Sequence, residues 1–434
     1  MCKDEMKKTS INFETRKIIY ILTAVAFGLQ LLVFFKYGVN YSGDAKVVLD
    51  SAQNQLDGGL NYYEIIYFLN NPNNLGMLYI DMVFLKIGGL FGISGKMLLS
   101  VVGMLLAAVA TALLSLIIHE TLNNKVITYI GFAISVFMVT FNPWCAVPYT
   151  DVFSVCIPLG ALYLYIKNKK LGKTGLRRMI FPLLITVVGL CIKPTNIFTM
   201  VAIVLIELFS YRSESKKKSL IIQWVLTLVI SFVVYTILIH AMQYGVGFKK
   251  NEAYEKPWTH YAMMGLNTEK YGRYNARDDE YTNSFASKKA KEEANIQEIE
   301  NRLDDMGLEG YVEFGSKKIY GAYKDGTYAW GIWTEGDGNL PMKRIRDIVW
   351  GWVLIFAKIE MIYLVVRGKK ISDKTTDVSG VMICLMYGAY LLIFEIGARY
   401  LYMYSPIYIL TGVLGAYRVI YKEGKNVLAR LQKK

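Results

Sequence analysis

Apolar stretches long enough to cross a hydrocarbon core of about 30 Å recur along almost the whole chain, from Ile18 to Ile420. That recurrence leaves few folds open. In lipid every backbone polar group must be satisfied within the protein, so such stretches fold as a bundle of helices. About eleven can be marked, near residues 18–36, 75–91, 97–118, 126–142, 152–166, 180–192, 195–209, 220–240, 347–366, 379–395 and 401–420. The expected fold class is an all-α polytopic membrane protein. Composition agrees, since 54% of the 434 residues are hydrophobic and only 19% are charged, whereas soluble domains carry about 25% charged residues.

The net charge of +14 would point a soluble protein toward nucleic acid. Here the excess lies in the N-terminal tail and in the short stretches 167–178, 212–218, 367–374 and 422–434. Basic loops stay on the cytoplasmic side, so the charge orients the chain in a cell membrane and no nucleic-acid partner is expected. The basic flank Lys7, Lys8, Arg16 and Lys17 precedes the first apolar stretch with no small-residue cleavage site close behind it. That pattern predicts an uncleaved signal anchor.

If every apolar segment crossed, the N-terminal tail and 167–178 would fall on opposite sides. Segment 75–91 is the weakest, being short and containing Asp81 and Lys86. Read as a re-entrant or interfacial helix, it leaves about ten spans with both termini cytoplasmic, and places 38–96, 143–151, 241–346 and 396–400 outside. Segments 180–192 and 195–209 then form a tight hairpin turning at Lys193-Pro194. Three parts follow: an N-terminal membrane module over 1–240, an extracytoplasmic loop or cap over 241–346, and C-terminal membrane helices over 347–434.

Within the large loop, Ile296, Ile299, Leu303 and Met306 recur at helical spacing, which predicts a helix over 287–306 ended by Gly307 and Gly310. The remainder is rich in glycine and aromatics (Tyr320, Tyr323, Tyr328, Trp330, Trp333), which predicts a compact cap with irregular turns. The duplicated broken helices of inverted-repeat transporters are absent from the pattern. Five scattered cysteines and three histidines form neither a disulfide framework nor a zinc spacing.

Several polar residues fall at the mouths of apolar segments. Asp44 follows the first span within Gly43-Asp44-Ala45-Lys46, where a carboxylate beside a surface helix over 45–56 can act as a general base. The same position suits a helix N-cap. Asp151 opens a later span, where it can cap the helix or act as a second carboxylate near Asp44 that binds a hydroxyl or a cation. Lys193 can meet a lipid phosphate or snorkel to the interface. Arg399 is placed to grip a phosphate and, were 395–399 helical, to pair with Glu395 at i,i+4. His260 sits in the aromatic strip 257–266, fit for contact with a sugar or for packing of the cap. Lys358 and Glu360 inside a span need partners elsewhere, because residues two apart do not face each other on a helix.

Taken in order, these motifs resemble the GT-C superfamily of membrane glycosyltransferases. The likeness is to bacterial relatives of the protein O-mannosyltransferases and of the aminoarabinose and lipopolysaccharide-core transferases. The resemblance rests on Gly43-Asp44 after the first span, Pro72–Gly76 (Pro-Asn-Asn-Leu-Gly) at the start of the next segment and Pro148–Asp151 at a later mouth. It rests also on Gly189–Thr195 (Gly-Leu-Cys-Ile-Lys-Pro-Thr), on the strip 260–266, and on Arg399-Tyr400-Leu401. It implies a GT-C-like bundle of about 10–11 transmembrane helices with a large extracytoplasmic loop.

The activity implied is transfer of a sugar from a polyprenyl phosphate to a cell-surface acceptor (wall glycan, glycolipid or protein). Asp44 would serve as base, and Asp151, Lys193, His260, Arg399 and Tyr400 would bind substrate. The protein mannosyltransferases carry an acidic pair where this chain has Asp44 followed by Ala45 and Lys46, so a divalent metal stays open and no metal ligand is assigned. Two other readings stand beside this one. A flippase or transporter for lipid-linked glycans would bring Lys358, Glu360 and Glu207 together along a polar path. An assembly subunit would keep the fold without the activity.

Overall fold

The computed structural model describes residues 2–210, 217–249, 251–333, 340–366 and 375–423, with the side chains of 13–208, 219–249, 251–331, 341–366 and 376–420. The basic clusters at 212–218, 367–374 and 422–434, the tail lysines Lys7 and Lys8, and Trp333 lie outside those described residues or side chains.

Among the described residues the chain is helical and has no strand. α1 (Cys2–Tyr37) is followed by two helices that lie at its far end, α2 (Gly43–Asp57) and α3 (Tyr62–Asn70), and by α4 (Leu75–Leu90). Next come α5 (Gly95–Leu122), α6 (Lys125–Ser135, continued by a wider turn to Thr140), the short α7 (Thr150–Phe153), α8 (Ile157–Lys170), α9 (Gly175–Ile192), α10 (Ile197–Ser210) and α11 (Lys217–Val246). The cap carries α12 (Trp258–Gly265), α13 (Ala276–Asn283), α14 (Lys288–Tyr323) and α15 (Trp330–Trp333). α16 (Leu340–Val366), α17 (Thr375–Ile393) and α18 (Tyr400–Ala416) complete the bundle. Among the described residues seven helices are long and apolar enough to cross a membrane by themselves, and Lys125–Thr140 and Pro194–Leu208 are shorter apolar helices. The protein is an all-α polytopic membrane protein.

Long-range polar contacts show how the helices run. Near its start α1 places Arg16 against Glu120 at the end of α5, and just past its end Tyr41 bonds Ser100 in the second turn of α5. The two helices are therefore antiparallel, and the chain between them leaves and returns at one end of the bundle. Lys96 at the start of α5 also reaches Asp50 of α2 at 3.3 Å. Hence α4 does not carry the chain across.

The alternation continues around the bundle. Lys170 at the end of α8 meets Glu120, and Lys193 after α9 meets Asp151 at the start of α7. Glu207 of α10 returns to Arg178 of α9, as a tight hairpin requires. Gln55 of α2 donates to the Val246 carbonyl at the end of α11. Arg346 near the start of α16 reaches the Phe141 carbonyl, and Glu360 and Asp377 of α16 and α17 converge on Arg418 past α18. Ten traverses result (α1, α5, α6, α7–α8, α9, α10, α11, α16, α17 and α18), and both described ends of the chain lie at one end of the bundle.

Two local details place the opposite end. Gly43 has φ +58°, a left-handed conformation that costs a residue with a Cβ, and it turns the chain from α1 into α2. Ala45, Val48, Leu49 and Ala52 then recur on one face and bury against the bundle. At Gly76 an added Cβ would stand 1.8 Å from the Cys191 carbonyl oxygen, so only glycine lets α4 close on the last turn of α9.

The cap is more regular than its composition predicts. Ser287 caps α14 through Ala290 N, and Gly307 (φ 60°) interrupts the helix, as expected. The helix then resumes to Tyr323 instead of dissolving into turns. Phe314, Gly315, Lys318 and Ala322 are buried with helical spacing, and this face packs on α17, Gly315 lying close to Leu392. Tertiary burial thus overrides the glycine-rich composition.

Candidate functional site

The chain places Asp44, Asp151, Lys193 and Arg399 at the capped end of the bundle, although they come from four distant stretches. Ser42, not Asp44, occupies the cap position of α2. Asp44 lies in the first turn, where the helix dipole favours a carboxylate, and is 36% exposed. Arg399 Nη2 donates to Asp44 Oδ2 at 2.9 Å, and the Tyr149 hydroxyl approaches the same oxygen at 3.4 Å.

Asp151 is likewise no cap, since Tyr149 holds that position. It lies in the first turn of α7, is completely buried, and receives Lys193 Nζ at 2.5 Å on Oδ1. Its other oxygen, Oδ2, has no hydrogen-bond partner. The Lys193 ammonium also lies 5.1 Å from the centre of the Tyr400 ring. The Arg399 guanidinium stands over Tyr149 at 5.1 Å and Tyr400 at 5.2 Å. Burial pushes Lys193 down from its ordinary pKa, and the Asp151 carboxylate opposes that shift. Electrostatically the site is two crossed ion pairs bound by two tyrosine rings.

The pairing of Arg399 differs from the helical spacing read in the sequence. Residues 394–399 are not helical. The cap takes their amides: Glu395 N donates to the Tyr261 carbonyl and Ile396 N to the Gly272 carbonyl, each at 2.8 Å. Glu395 therefore cannot meet Arg399 across one helical turn. It accepts instead from the Tyr400 hydroxyl at 3.2 Å. Burial raises the Glu395 pKa, Arg399 opposing. Lys318 holds this loop from behind, donating to the carbonyls of Gly265, Leu392 and Phe394 at 2.6, 2.9 and 2.8 Å.

These groups surround a cavity of about 570 Å³, within the usual range for small-ligand sites. Lys193, Arg399, Tyr400 and Glu395 form its polar floor, and Leu190, Ile192 and Ile239 of α9 and α11 give one apolar side. Trp258 and Tyr261 of α12 roof it, with Glu255 and Lys256 beside them. Asn74, in the Pro72–Gly76 motif, lines the wall and donates to the Tyr67 hydroxyl at 2.8 Å. Asp44 reaches the cavity through its partners Arg399 and Tyr149, both of which line it.

His260 is not among the lining residues. Its Nδ1 shares a 2.8 Å hydrogen bond with Thr282 Oγ1 of α13, and Thr282 donates to Asn295 of α14. Burial, with Lys256 adding to it, pushes His260 down to about 4, so at neutral pH it is an uncharged cap residue. Its neighbours Trp258 and Tyr261 are the ones that face the cavity. Tyr149 is the site residue that sequence reasoning left without a role, its only signal being its place beside Asp151 in the Pro148–Asp151 motif. Glu395 was read only as a helical partner of Arg399.

Elsewhere, Glu207 is held by Arg178 and by the Tyr165 hydroxyl, Glu360 is held by Arg418, and Lys358 is exposed. The two acids are thus neutralised by different arginines. Among the described residues no group of three His, Cys, Asp or Glu side chains could hold a metal ion.

A family model described as a conserved hypothetical integral membrane protein matches residues 3–419. No curated protein and no solved structure matches the chain.

Proposed function

The chain belongs to that conserved hypothetical integral membrane protein family, and from this premise we propose that it is a membrane glycosyltransferase of GT-C type. It moves a sugar from a polyprenyl phosphate to an acceptor at the cell surface. The observation that carries the reading is the single cavity in which Lys193 and Arg399 face an apolar side and an aromatic roof, with Asp44 bonded to Arg399.

The chemistry is consistent with these groups. The acceptor hydroxyl attacks the anomeric carbon, the bond from that carbon to the phosphate oxygen breaks, and the lipid phosphate leaves with the electron pair. Asp44, held in place through Oδ2, takes the hydroxyl proton. Charge develops on the leaving phosphate, where fixed cations stabilise it most. Lys193 spends one N–H on a carboxylate, and an ammonium has three donors. Leu190, Ile192 and Ile239 receive the first part of the prenyl chain, and Trp258 and Tyr261 stack on the sugar. Asp151 acts on substrate through Lys193.

In this reading the membrane is the cell membrane, the capped end is extracytoplasmic, and both termini are cytoplasmic, as the positive-inside rule directs. The test is mass analysis of surface glycans from cells making wild-type or Asp44→Asn protein at equal membrane levels. A glycan present with the wild type and missing with the variant is expected. Unchanged decoration by the variant would sink the proposed base. Movement of a labelled lipid-linked sugar across liposomes holding only this protein, with no transfer, would favour a flippase instead.

A further inference from the structure

Glu395, Arg399 and Tyr400 of the cavity come from the stretch that follows α17, and Trp258 and Tyr261 of its roof come from α12. The two helices end against each other. α12 stops at Gly265 and α17 at Ile393, and carbonyls from both ends meet at a single atom, Lys318 Nζ. It donates to Gly265 of α12, to Leu392 in the last turn of α17 and to Phe394 just past it. A helix leaves its last carbonyls without partners of its own, and the negative end of its dipole lies there. One cation thus caps two helices, the one that carries the roof and the one that leads to the floor.

The fit around Lys318 is close. The side chain is completely buried, and all three donors of its ammonium are used on main-chain carbonyls. Gly272 has φ +72°, and an added Cβ there would stand 2.5 Å from Lys318 Cε and 2.6 Å from the Gly265 carbonyl oxygen. At Gly265 an added Cβ would stand 2.3 Å from the Ile393 carbonyl oxygen. The bonds from Glu395 N to Tyr261 and from Ile396 N to Gly272 continue the same seam. Lys318 is itself rooted in the bundle, because α14 ends at Tyr323, whose carbonyl accepts from Trp350 Nε1 of α16 at 2.8 Å.

A hydroxyl or an amide brings fewer donors to such a point, and a guanidinium spreads its five in one plane. Burying a charge is costly unless its donors are met, and here they are met at the joint between roof and floor. We propose that Lys318 is a positioning residue for ligand capture in this cavity: by capping α12 and α17 with one ammonium, it sets the separation of Trp258 and Tyr261 from Arg399 and Tyr400. Lys318 does not line the cavity and acts through the two helix ends. The proposal rests on the reading of the cavity as a site for a lipid phosphate, and not on the transfer step.

The test uses farnesyl methyl phosphate, a prenyl phosphodiester with one negative charge, bound to the full-length protein in detergent and followed by calorimetry. Lys318→Ala should bind it at least about tenfold more weakly. Amides of 258–266 and 392–400 should exchange with deuterium faster in that variant, while those of α1 and α5 do not change. Propylammonium, which brings back three N–H donors, should restore the affinity, and tetramethylammonium, which has the charge and no N–H, should not. A loss due to packing alone would not tell the two amines apart. Gly272→Ala, which sets a Cβ against Lys318 Cε and keeps the lysine, should weaken binding in the same way, and it decides the matter if Lys318→Ala does not fold. Wild-type affinity in either folded variant, or equal effects of the two amines on Lys318→Ala, overturns the proposal. If the wild type itself does not bind the probe, the phosphate reading of the cavity fails and the proposal falls with it.

Discussion

Arg399 Nη2 stands 2.9 Å from Asp44 Oδ2 although 355 positions of chain separate them. The bond ties the first turn of α2 to the loop before α18, and through Arg399 it joins Asp44 to the cavity wall. Because Asp44 is more than a third exposed, the pair contributes little to stability, on the order of 0–1 kcal/mol. Loss of Asp44 is therefore expected to be a loss of chemistry. Asp44→Asn should lower transfer by about 10²–10⁴-fold with a melting temperature near that of the wild type. Arg399→Lys should also lower transfer, because an ammonium cannot reproduce the planar fork that spans Asp44 and a phosphate. Melting curves beside a transfer assay on purified protein separate the two effects.

The Asp151–Lys193 pair behaves differently because it is buried. Asp151 is fully enclosed and Lys193 is 12% exposed. Removing one partner leaves the other charge stranded, which costs about 3–5 kcal/mol. Lys193→Met should therefore lower the melting temperature sharply. The double variant Lys193→Met with Asp151→Asn should recover most of that loss without recovering transfer. If the double variant is no more stable than the single one, the pair is not the source of the loss.

The run of apolar segments, the hairpin at Lys193-Pro194, the helix over 287–306 and the Gly307 break were legible because each is set by local spacing or by one residue's backbone preference. The non-crossing α4 was legible from parity alone, and the Lys96–Asp50 contact agrees. What escaped reading depends on distant neighbours. Arg399 has an acid four residues upstream, yet the cap captures the amides of Glu395 and Ile396 and denies that turn to the helix. His260 stood between sugar contact and packing of the cap, because nothing local reveals that Thr282 and α14 close over it. Arg346 reads as a loop arginine, and only the folded chain shows it wedged behind Phe141 among aromatic rings.

The buried His260 makes the cap sensitive to acid. Its folded pKa, about 4, lies below the ordinary histidine value near 6.5. Between those values the unfolded chain binds the proton and the folded cap does not. Stability therefore rises with pH through that window and falls as pH drops from about 6.5 toward 4, by up to about 3 kcal/mol. Glu395 works in the opposite sense. Its folded pKa is raised, so the folded state holds its proton longer and stability falls as pH rises through the range just above the ordinary carboxylate value. His260→Gln, which keeps a hydrogen bond available to Thr282 without a titrating ring, should flatten the acid limb. Melting temperatures from pH 7 to pH 4.5 in both proteins check this, and parallel curves would falsify it.

Lys96 tests the orientation of the whole bundle. It begins α5, is exposed, and touches Asp50 of α2, so it shares the end that carries Asp44 and the cap. If that end is extracytoplasmic, a thiol introduced by Lys96→Cys reacts in intact cells with a membrane-impermeant maleimide. Among the described side chains the native cysteines Cys145, Cys156, Cys191 and Cys384 are buried or half-buried and contribute a low background. A second thiol at Lys170, which meets Glu120 at the opposite end, reacts only after the membrane is permeabilised. Labelling of Lys170→Cys in intact cells, with Lys96→Cys protected, would invert the bundle. The cavity with Asp44, Lys193 and Arg399 would then face the cytoplasm, where transfer to a cell-surface acceptor has no place.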